Sequence, residues 1–119
     1  LFLDKLMKIK YPSKANPMEN NHKVDVKMLY NTPDAVINLI TLLPGESLKR
    51  HITPVDVAFY VLEGTGIVEV GEETQEVTAE CLIESPRDIT HCWYNKSDAP
   101  LRFLVIKAPK PTRVSIFLD

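Results

Sequence analysis

From residue 23 onward the sequence consists of short runs of strand-forming residues, separated by turn residues at intervals of roughly 8–12 residues. The runs VAFYVLE, IVEV, CLIE and ITHCWY are followed respectively by GTG, GEET, SPRD and NKSDAP. After Glu46 no segment carries the apolar repeat of an amphipathic helix. Short strands at this spacing predict an all-β domain, built as an antiparallel sandwich or barrel.

The run KVDVKMLY, residues 23–30, alternates polar and apolar side chains. Its apolar residues Val24, Val26, Met28 and Tyr30 share one face, which predicts a half-buried strand. The next run, NTPDAVINLITLL, is ambiguous. Thr32 and Pro33 resemble a helix start, but the branched residues from Val36 onward prefer a pleated surface. We predict a strand here as well.

The chain has 119 residues, the length of one domain, and its 45% apolar and 25% charged content is typical of a soluble globular protein. Residues 11–22 are polar and rich in Pro and Asn, so we divide the chain into an N-terminal arm, residues 1–22, and one β-domain, residues 23–119. The net charge of −2 predicts neither a nucleic-acid nor a membrane partner. The basic residues near the two ends are scattered and are interpreted as solvated surface: Lys5, Lys8, Lys10, Lys14, Lys107, Lys110 and Arg113.

The two cysteines, Cys81 and Cys92, match neither a disulfide framework nor a CxxC metal pattern. The opening LFLDKLMKIK, in which Met7 is a candidate start, is too short and too charged for a signal peptide or a membrane span. These features predict a cytoplasmic protein. Cys92 follows His91, and neighbours on a strand point to opposite faces, so the two do not form a nucleophile–base pair. Both cysteines are interpreted as small core residues.

Residues 35–108 resemble the cupin family through two spaced motifs. The first, G-x5-H-x-H-x3or4-E-x6-G, falls on Gly45, His51, Thr53, Val57 and Gly64. The second, G-x5-P-x-G-x2-H-x3-N, falls on Glu80, Pro86, Asp88, His91 and Asn95. The spacing is intact, and the departures from the family pattern are Thr53, Val57, Glu80 and Asp88. The resemblance implies a double-stranded β-helix, a jelly-roll barrel of short antiparallel strands.

The resemblance implies the ligand set of metal-binding cupins, in which three histidines and a glutamate point into the barrel. They hold one iron, manganese, nickel, copper or zinc ion. Only His51 and His91 of that set remain here, because Thr53 offers a neutral hydroxyl and Val57 offers no ligand. Asp56 precedes the vacant glutamate position by one residue, so strand alternation predicts that it faces outward. We expect His22, in the polar arm, to be exposed. The metal set is incomplete, and no tightly held cofactor is predicted.

Alternation along the strands predicts a pocket with a mostly apolar lining and a few polar groups, the usual composition of a small-molecule site. Besides the two histidines, the residues predicted to face inward are Thr53, Val57, Phe59, Val61, Trp93 and Asn95. Plain core packing is the alternative for these aromatic and aliphatic side chains. No inward cluster of Arg or Lys is expected, so a phosphate-rich ligand is not favoured.

Three functions fit these residues. The first is a small-molecule-binding cupin without tightly held metal. The second is a metal-dependent cupin enzyme, a dioxygenase, isomerase or decarboxylase, using His51 and His91 plus water or substrate. The third is a barrel kept for assembly, a homodimer in which the strand at residues 23–30 covers an exposed sheet edge. The fold alone does not choose among them.

Overall fold

The computed structural model describes residues 6–118, and it arranges them as two five-stranded antiparallel sheets. The first five residues, Lys5 among them, and residue 119 lie outside the described residues, as does the start of the predicted arm. The strands are β1 (Asp25–Asn31), β2 (Val36–Leu42), β3 (His51–Ile52), β4 (Asp56–Glu63), β5 (Thr65–Val70), β6 (Glu73–Thr78), β7 (Leu82–Ser85), β8 (Thr90–Tyr94), β9 (Leu101–Ala108) and β10 (Ile116–Phe117). The all-β prediction is confirmed.

The described part of the arm, residues 6–22, contains a single turn of 3-10 helix at Pro12–Lys14. Within residues 6–118, no helix has the length and apolar character needed to cross a membrane. The arm is tied to the barrel near its end, where the Met18 backbone N–H donates to the carbonyl of Val26 and the Asn20 amide donates to the carbonyl of Val24. Residues 18–22 therefore lie against the barrel.

Each sheet joins strands that are far apart in the chain. The order is β1-β2-β9-β4-β7 in the first sheet and β10-β3-β8-β5-β6 in the second. Because β3 pairs with β8, His51 stands directly opposite His91. Because β9 lies between β2 and β4, Lys107 stands opposite both Val36 and Val57. The pairing of distant strands thus assembles the site.

The ambiguous run after Asn31 is a strand, as predicted. The Thr32 hydroxyl accepts hydrogen bonds from the backbone N–H groups of Asp34 and Ala35, and the Thr32 N–H donates to the carbonyl of Ala35. A threonine-initiated turn and a helix N-cap use the same side-chain acceptor, which explains why the sequence resembles both. The branched residues that follow then form β2 against β1 and β9.

The predicted face of β1 is interrupted. A register shift between Met28 and Tyr30 breaks the alternation, so that Val26 is buried whereas Tyr30 is 48% exposed. The expectation that Tyr30 shares the buried face of Val26 is therefore wrong, because the extra residue of a β-bulge turns the side chains beyond it.

The core lies between the sheets and is dominated by aromatic rings. Trp93 and Phe103 are stacked with centroids 4.3 Å apart, and Phe59 meets both rings edge-on. All three side chains are almost fully buried. Phe59 connects this core to the site, since it also contacts the ring of His91 edge-on at 5.2 Å.

Candidate functional site

The two motif histidines meet inside the barrel. His51 on β3 and His91 on β8 are a directly opposed cross-strand pair, and both are buried. Their Nε2 atoms lie 3.0 Å apart and their ring centroids 4.4 Å apart. Thr53 is beside them, with its Oγ1 3.2 Å from Nε2 of His91. The inward orientation of these three side chains agrees with the alternation of the sequence.

The surrounding hydrogen bonds assign a tautomer to each imidazole. Nδ1 of His51 lies 2.8 Å from the carbonyl of Lys49, which only accepts, so Nδ1 donates and Nε2 of His51 carries the lone pair. His91 must then donate from Nε2 to His51. Its Nδ1 accepts from the Ser85 hydroxyl, at 2.7 Å. The result is a directed chain from Ser85 through His91 and His51 to the carbonyl of Lys49.

The structure places His22 at this site, so the expectation of an exposed His22 is wrong. Its ring is partly buried, with its centroid 4.8 Å from that of His51 and 5.2 Å from that of Phe117. Its Nδ1 accepts from the backbone N–H of Lys49 at 2.8 Å. The docked end of the arm brings it there, and the sequence offers no signal for a contact between residues so far apart.

Burial keeps the imidazoles neutral. Desolvation, followed by repulsion from the neighbouring His51, lowers the pKa of His22 to about 4 and that of His91 to about 3. Desolvation also lowers the pKa of His51, against a smaller opposing effect of its hydrogen bond to Lys49. Lys107 contributes further repulsion to all three. Near neutral pH the site presents three uncharged rings.

Lys107 is part of the site, so its interpretation as solvated surface is wrong. It continues the buried face of β9, two residues beyond Val105, and lines the same cavity as the histidines. Desolvation lowers the pKa of its ammonium group. The alternation in LRFLVIKA, with Leu101, Phe103 and Val105 inward, is the signal that predicts its position.

Asn38 on β2 is a further site residue, one that was not expected from the sequence. Its side chain lines the cavity, and its Oδ1 atom is buried with no hydrogen-bond partner among the described residues. A buried polar atom without a partner is costly and therefore rare, so it marks a position where an additional donor is favoured.

The side chains enclose a cavity of about 390 Å³ between the barrel, the arm and the chain segment that follows β9. Its lining comprises Met18, Asn20, Asn21, His22, Val26, Asn38, Ile40, Leu48, His51, Thr53, Phe59, His91, Val105, Lys107, Pro111, Arg113, Val114, Ser115 and Phe117. Among the described residues, no carboxylate belongs to this lining.

Four predicted pocket residues do not line this cavity. Val57, Val61 and Trp93 share the buried faces of β4 and β8 but lie in the core. The buried Asn95 amide donates to the carbonyls of Leu42 and Ala99, so it holds a turn together. Of the predicted pocket residues, Thr53 and Phe59 meet the two histidines at the cavity.

The residues present do not fit a first-row metal ion as they are arranged. Each of the three imidazoles uses its lone pair to accept a hydrogen bond, and the ammonium group of Lys107 stands nearby. Asp56 faces outward as predicted, where its carboxylate accepts from the backbone N–H of Arg87 at 2.9 Å. Across residues 6–118 no group of three or more His, Cys, Asp or Glu is placed to hold a metal.

Two opposed sheets around a buried pair of imidazoles define a small barrel of the cupin class. A family model described as a cupin domain matches residues 38–107, more than half of the chain. The chain therefore belongs to the cupin family, and the predicted double-stranded β-helix is confirmed. A search of curated proteins finds no match.

Solved structures agree on the fold. The TT1209 protein of Thermus thermophilus is 30% identical with a TM-score of 0.76, over 88% of this chain and 100% of that one. The polyketide cyclase RemF from Streptomyces resistomycificus is 18% identical with a TM-score of 0.82, over 96% and 87%. A predicted oxalate decarboxylase from Thermotoga maritima is 19% identical with a TM-score of 0.76, over 93% and 100%. Such different descriptions on one fold leave the function to be argued from the site.

Proposed function

We propose that this protein is a small-molecule-binding cupin whose ligand occupies the cavity above His51 and His91, without a tightly held metal. The observation that carries the proposal is the closed hydrogen-bond chain from Ser85 through His91 to His51. This chain holds the two rings in one orientation and uses their lone pairs. They act as part of a polar wall rather than as a ligand set.

The cavity has the character of a small-molecule site. Its volume of about 390 Å³ lies within the range of ligand pockets, roughly 300–1,000 Å³. Ile40, Phe59 and Val105 contribute apolar surface, while Thr53 and Asn38 contribute polar atoms. An apolar lining with a few fixed polar groups supports binding of one small ligand in one orientation.

A metal-dependent cupin enzyme is the second candidate. The observation favouring it is the contact of three imidazoles, since His22 adds a third ring to the motif pair. Metal binding would require these rings to exchange their present hydrogen bonds for coordination, which opposes this candidate in the described arrangement.

Metal analysis separates the two candidates. Protein purified without an affinity tag and without chelator is analysed by mass spectrometry, alongside His51→Ala and His91→Ala. We expect metal far below one equivalent in all three proteins. Near-stoichiometric metal in the native sequence that disappears in both variants would instead establish the metal-dependent candidate.

Ligand binding in the cavity is tested on protein purified in the same way. A panel of small metabolites is added to isotope-labelled protein, and backbone amide shifts are recorded by NMR. We expect shifts at Asn38, Thr53 and Val105, which line the cavity, and none at the exposed Thr74 and Glu76 of β6. A panel that moves only residues outside the cavity would contradict the proposed function.

A further inference from the structure

The charges around the cavity have one sign. Besides the three histidines, the ionisable side chains in the described lining are Lys107 and Arg113. Lys107 is partly buried, whereas Arg113 is exposed at the mouth. Because no carboxylate among residues 6–118 contributes to the lining, the field within the cavity favours an anion.

Lys107 is not neutralised by the protein. The salt bridges found within residues 6–118 join Arg87 to Asp56 and Arg102 to Glu63, and neither involves Lys107. Its cross-strand neighbours, Val36 and Val57, are apolar. An ammonium group removed from water without a partner is destabilising, and an anionic ligand would offset that cost.

Asn38 lies close to Lys107 on the same sheet. Asn38 is paired with Val105, and Lys107 is two residues further along β9. Diagonal cross-strand neighbours of this kind are separated by about 7–8 Å. The buried Oδ1 of Asn38, which has no hydrogen-bond partner in the described chain, and the side chain of Lys107 therefore line the same cavity from neighbouring positions on one sheet.

We propose that the cavity binds a small organic acid that carries a hydroxyl or amino group. Its carboxylate pairs with Lys107, its O–H or N–H donates to Oδ1 of Asn38, and its apolar part lies against Ile40, Phe59 and Val105. This inference rests on the proposed function, because it names the ligand class of the same cavity.

The same residues disfavour other ligand classes. A phosphate group carries more charge than one partly buried lysine neutralises, and the other cation, Arg113, is exposed at the mouth. A neutral sugar would leave the ammonium group of Lys107 without a counter-charge. A monocarboxylate supplies one counter-charge for Lys107 and is small enough for a cavity of about 390 Å³.

Three matched probes test the inference: hydroxyisocaproate, isocaproate, which lacks the hydroxyl, and hydroxyisocaproamide, which lacks the charge. Affinities are measured by calorimetry at millimolar concentrations. We expect hydroxyisocaproate to bind best, isocaproate to bind several-fold more weakly, and the amide to lose about 10- to 100-fold, the effect of one charge-assisted hydrogen bond.

Variants assign each preference to its residue. Lys107→Met retains the length of the side chain and should remove the preference for acid over amide. Lys110→Met changes an exposed lysine outside the cavity lining and should leave all three affinities unchanged. Asn38→Leu should remove only the preference for hydroxyisocaproate over isocaproate. This second preference is measurable even where Lys107→Met does not fold.

The outcomes distinguish this inference from the proposed function. Equal binding of acid and amide by the native protein would overturn the acid assignment and leave the small-molecule function standing. An acid preference that survives in folded Lys107→Met would overturn the role of Lys107. Failure of all three probes overturns the organic-acid proposal, and amide shifts from neutral members of the metabolite panel then decide whether the cavity binds ligands at all.

Discussion

His91 is the side chain on which most of the site depends. It accepts from Ser85, donates to His51, lies beside Thr53 and contacts the ring of Phe59. A neutral, fully hydrogen-bonded imidazole in this position stabilises one arrangement of the pocket wall. It also makes the folded state sensitive to protonation.

We predict that the protein loses stability as the pH falls below the ordinary histidine value of 6.5. The folded-state pKa of His91 is lowered to about 3, so between these values the unfolded chain binds a proton that the folded chain does not. The His91 contribution is therefore fully present above pH 6.5 and decreases by up to about 1.4 kcal/mol per pH unit below it. Urea unfolding across this range measures the slope, and His91→Gln should make it shallower. An unchanged slope in the variant would contradict the assignment.

We predict that Ser85→Ala destabilises the protein by about 1–3 kcal/mol, because it leaves the buried Nδ1 of His91 without its donor. Ser13→Ala, at an exposed position of the arm, should stay within about 0.5 kcal/mol of the native sequence. Chemical denaturation compares the two variants. Equal stability of both would show that the Ser85 hydrogen bond is not maintained in solution.

At the scale of the elements, the turns retain the backbone shapes of the cupin motifs even where the glycines are missing. Glu80 and Asp88 occupy the glycine positions of the second motif, and both have left-handed backbone with φ of 65° and 63°. Both positions therefore have the left-handed backbone at a steric cost that a glycine would not carry. For Asp88 this agrees with the tolerance of Asp for the left-handed region. Gly45 and Gly64 of the first motif are left-handed as well.

We predict that Gly64→Ala is considerably more destabilising than Gly45→Ala. The two glycines have nearly the same φ, 91° and 88°, so both variants carry a backbone cost of about 1–2 kcal/mol. A Cβ at Gly64 would also collide with the backbone carbonyl of Pro100, whereas a Cβ at Gly45 meets no atom within 4 Å. Thermal unfolding of the pair isolates the steric contribution. Similar melting temperatures would show that the turn at Gly64 moves freely.

The short strand β10, near the end of the described chain, packs against the site. Phe117 is stacked on His51 with centroids 5.4 Å apart, and the N–H of Leu118 donates to the carbonyl of Arg50. We predict that Phe117→Ala leaves the barrel folded and raises the pKa of His51 towards its ordinary value, because desolvation is the largest cause of the lowering. NMR titration of the imidazole measures this change. Ile116→Ala, at an exposed position of the same strand and outside the cavity lining, is the matched control.

At the scale of the whole molecule, the sequence predicts the strands of the barrel better than the residues that line its cavity. Alternation and turn residues are local, so they predicted β2 and the outward position of Asp56. Lys107 was predictable too, because it continues the alternation of β9, but its charge favoured a surface interpretation. The position of His22 was not predictable, since it depends on hydrogen bonds from Met18 and Asn20 to the carbonyls of Val26 and Val24, which no local pattern encodes.

The homodimer expected from the sequence stays a prediction. β1 is the outer strand of the first sheet, and β7 is the other outer strand. We expect Tyr30→Glu, at an exposed position of β1, to shift the protein towards a monomer, and Leu82→Glu, exposed on β7, to leave the assembly unchanged. Light scattering coupled to size-exclusion chromatography measures both. A native protein that elutes as a monomer would refute the dimer.

The segment before β1, within residues 18–22, and the segment after β9, within residues 111–117, both line one cavity. A polyhistidine tag fused after residue 119 would begin three residues beyond Phe117, whose ring contacts the imidazoles of His22 and His51. The imidazoles of such a tag would add metal ligands next to the native histidines. The fused protein would then bind metal because of its tag. The placement of the purification handle thus determines whether metal content reports on this protein or on its tag.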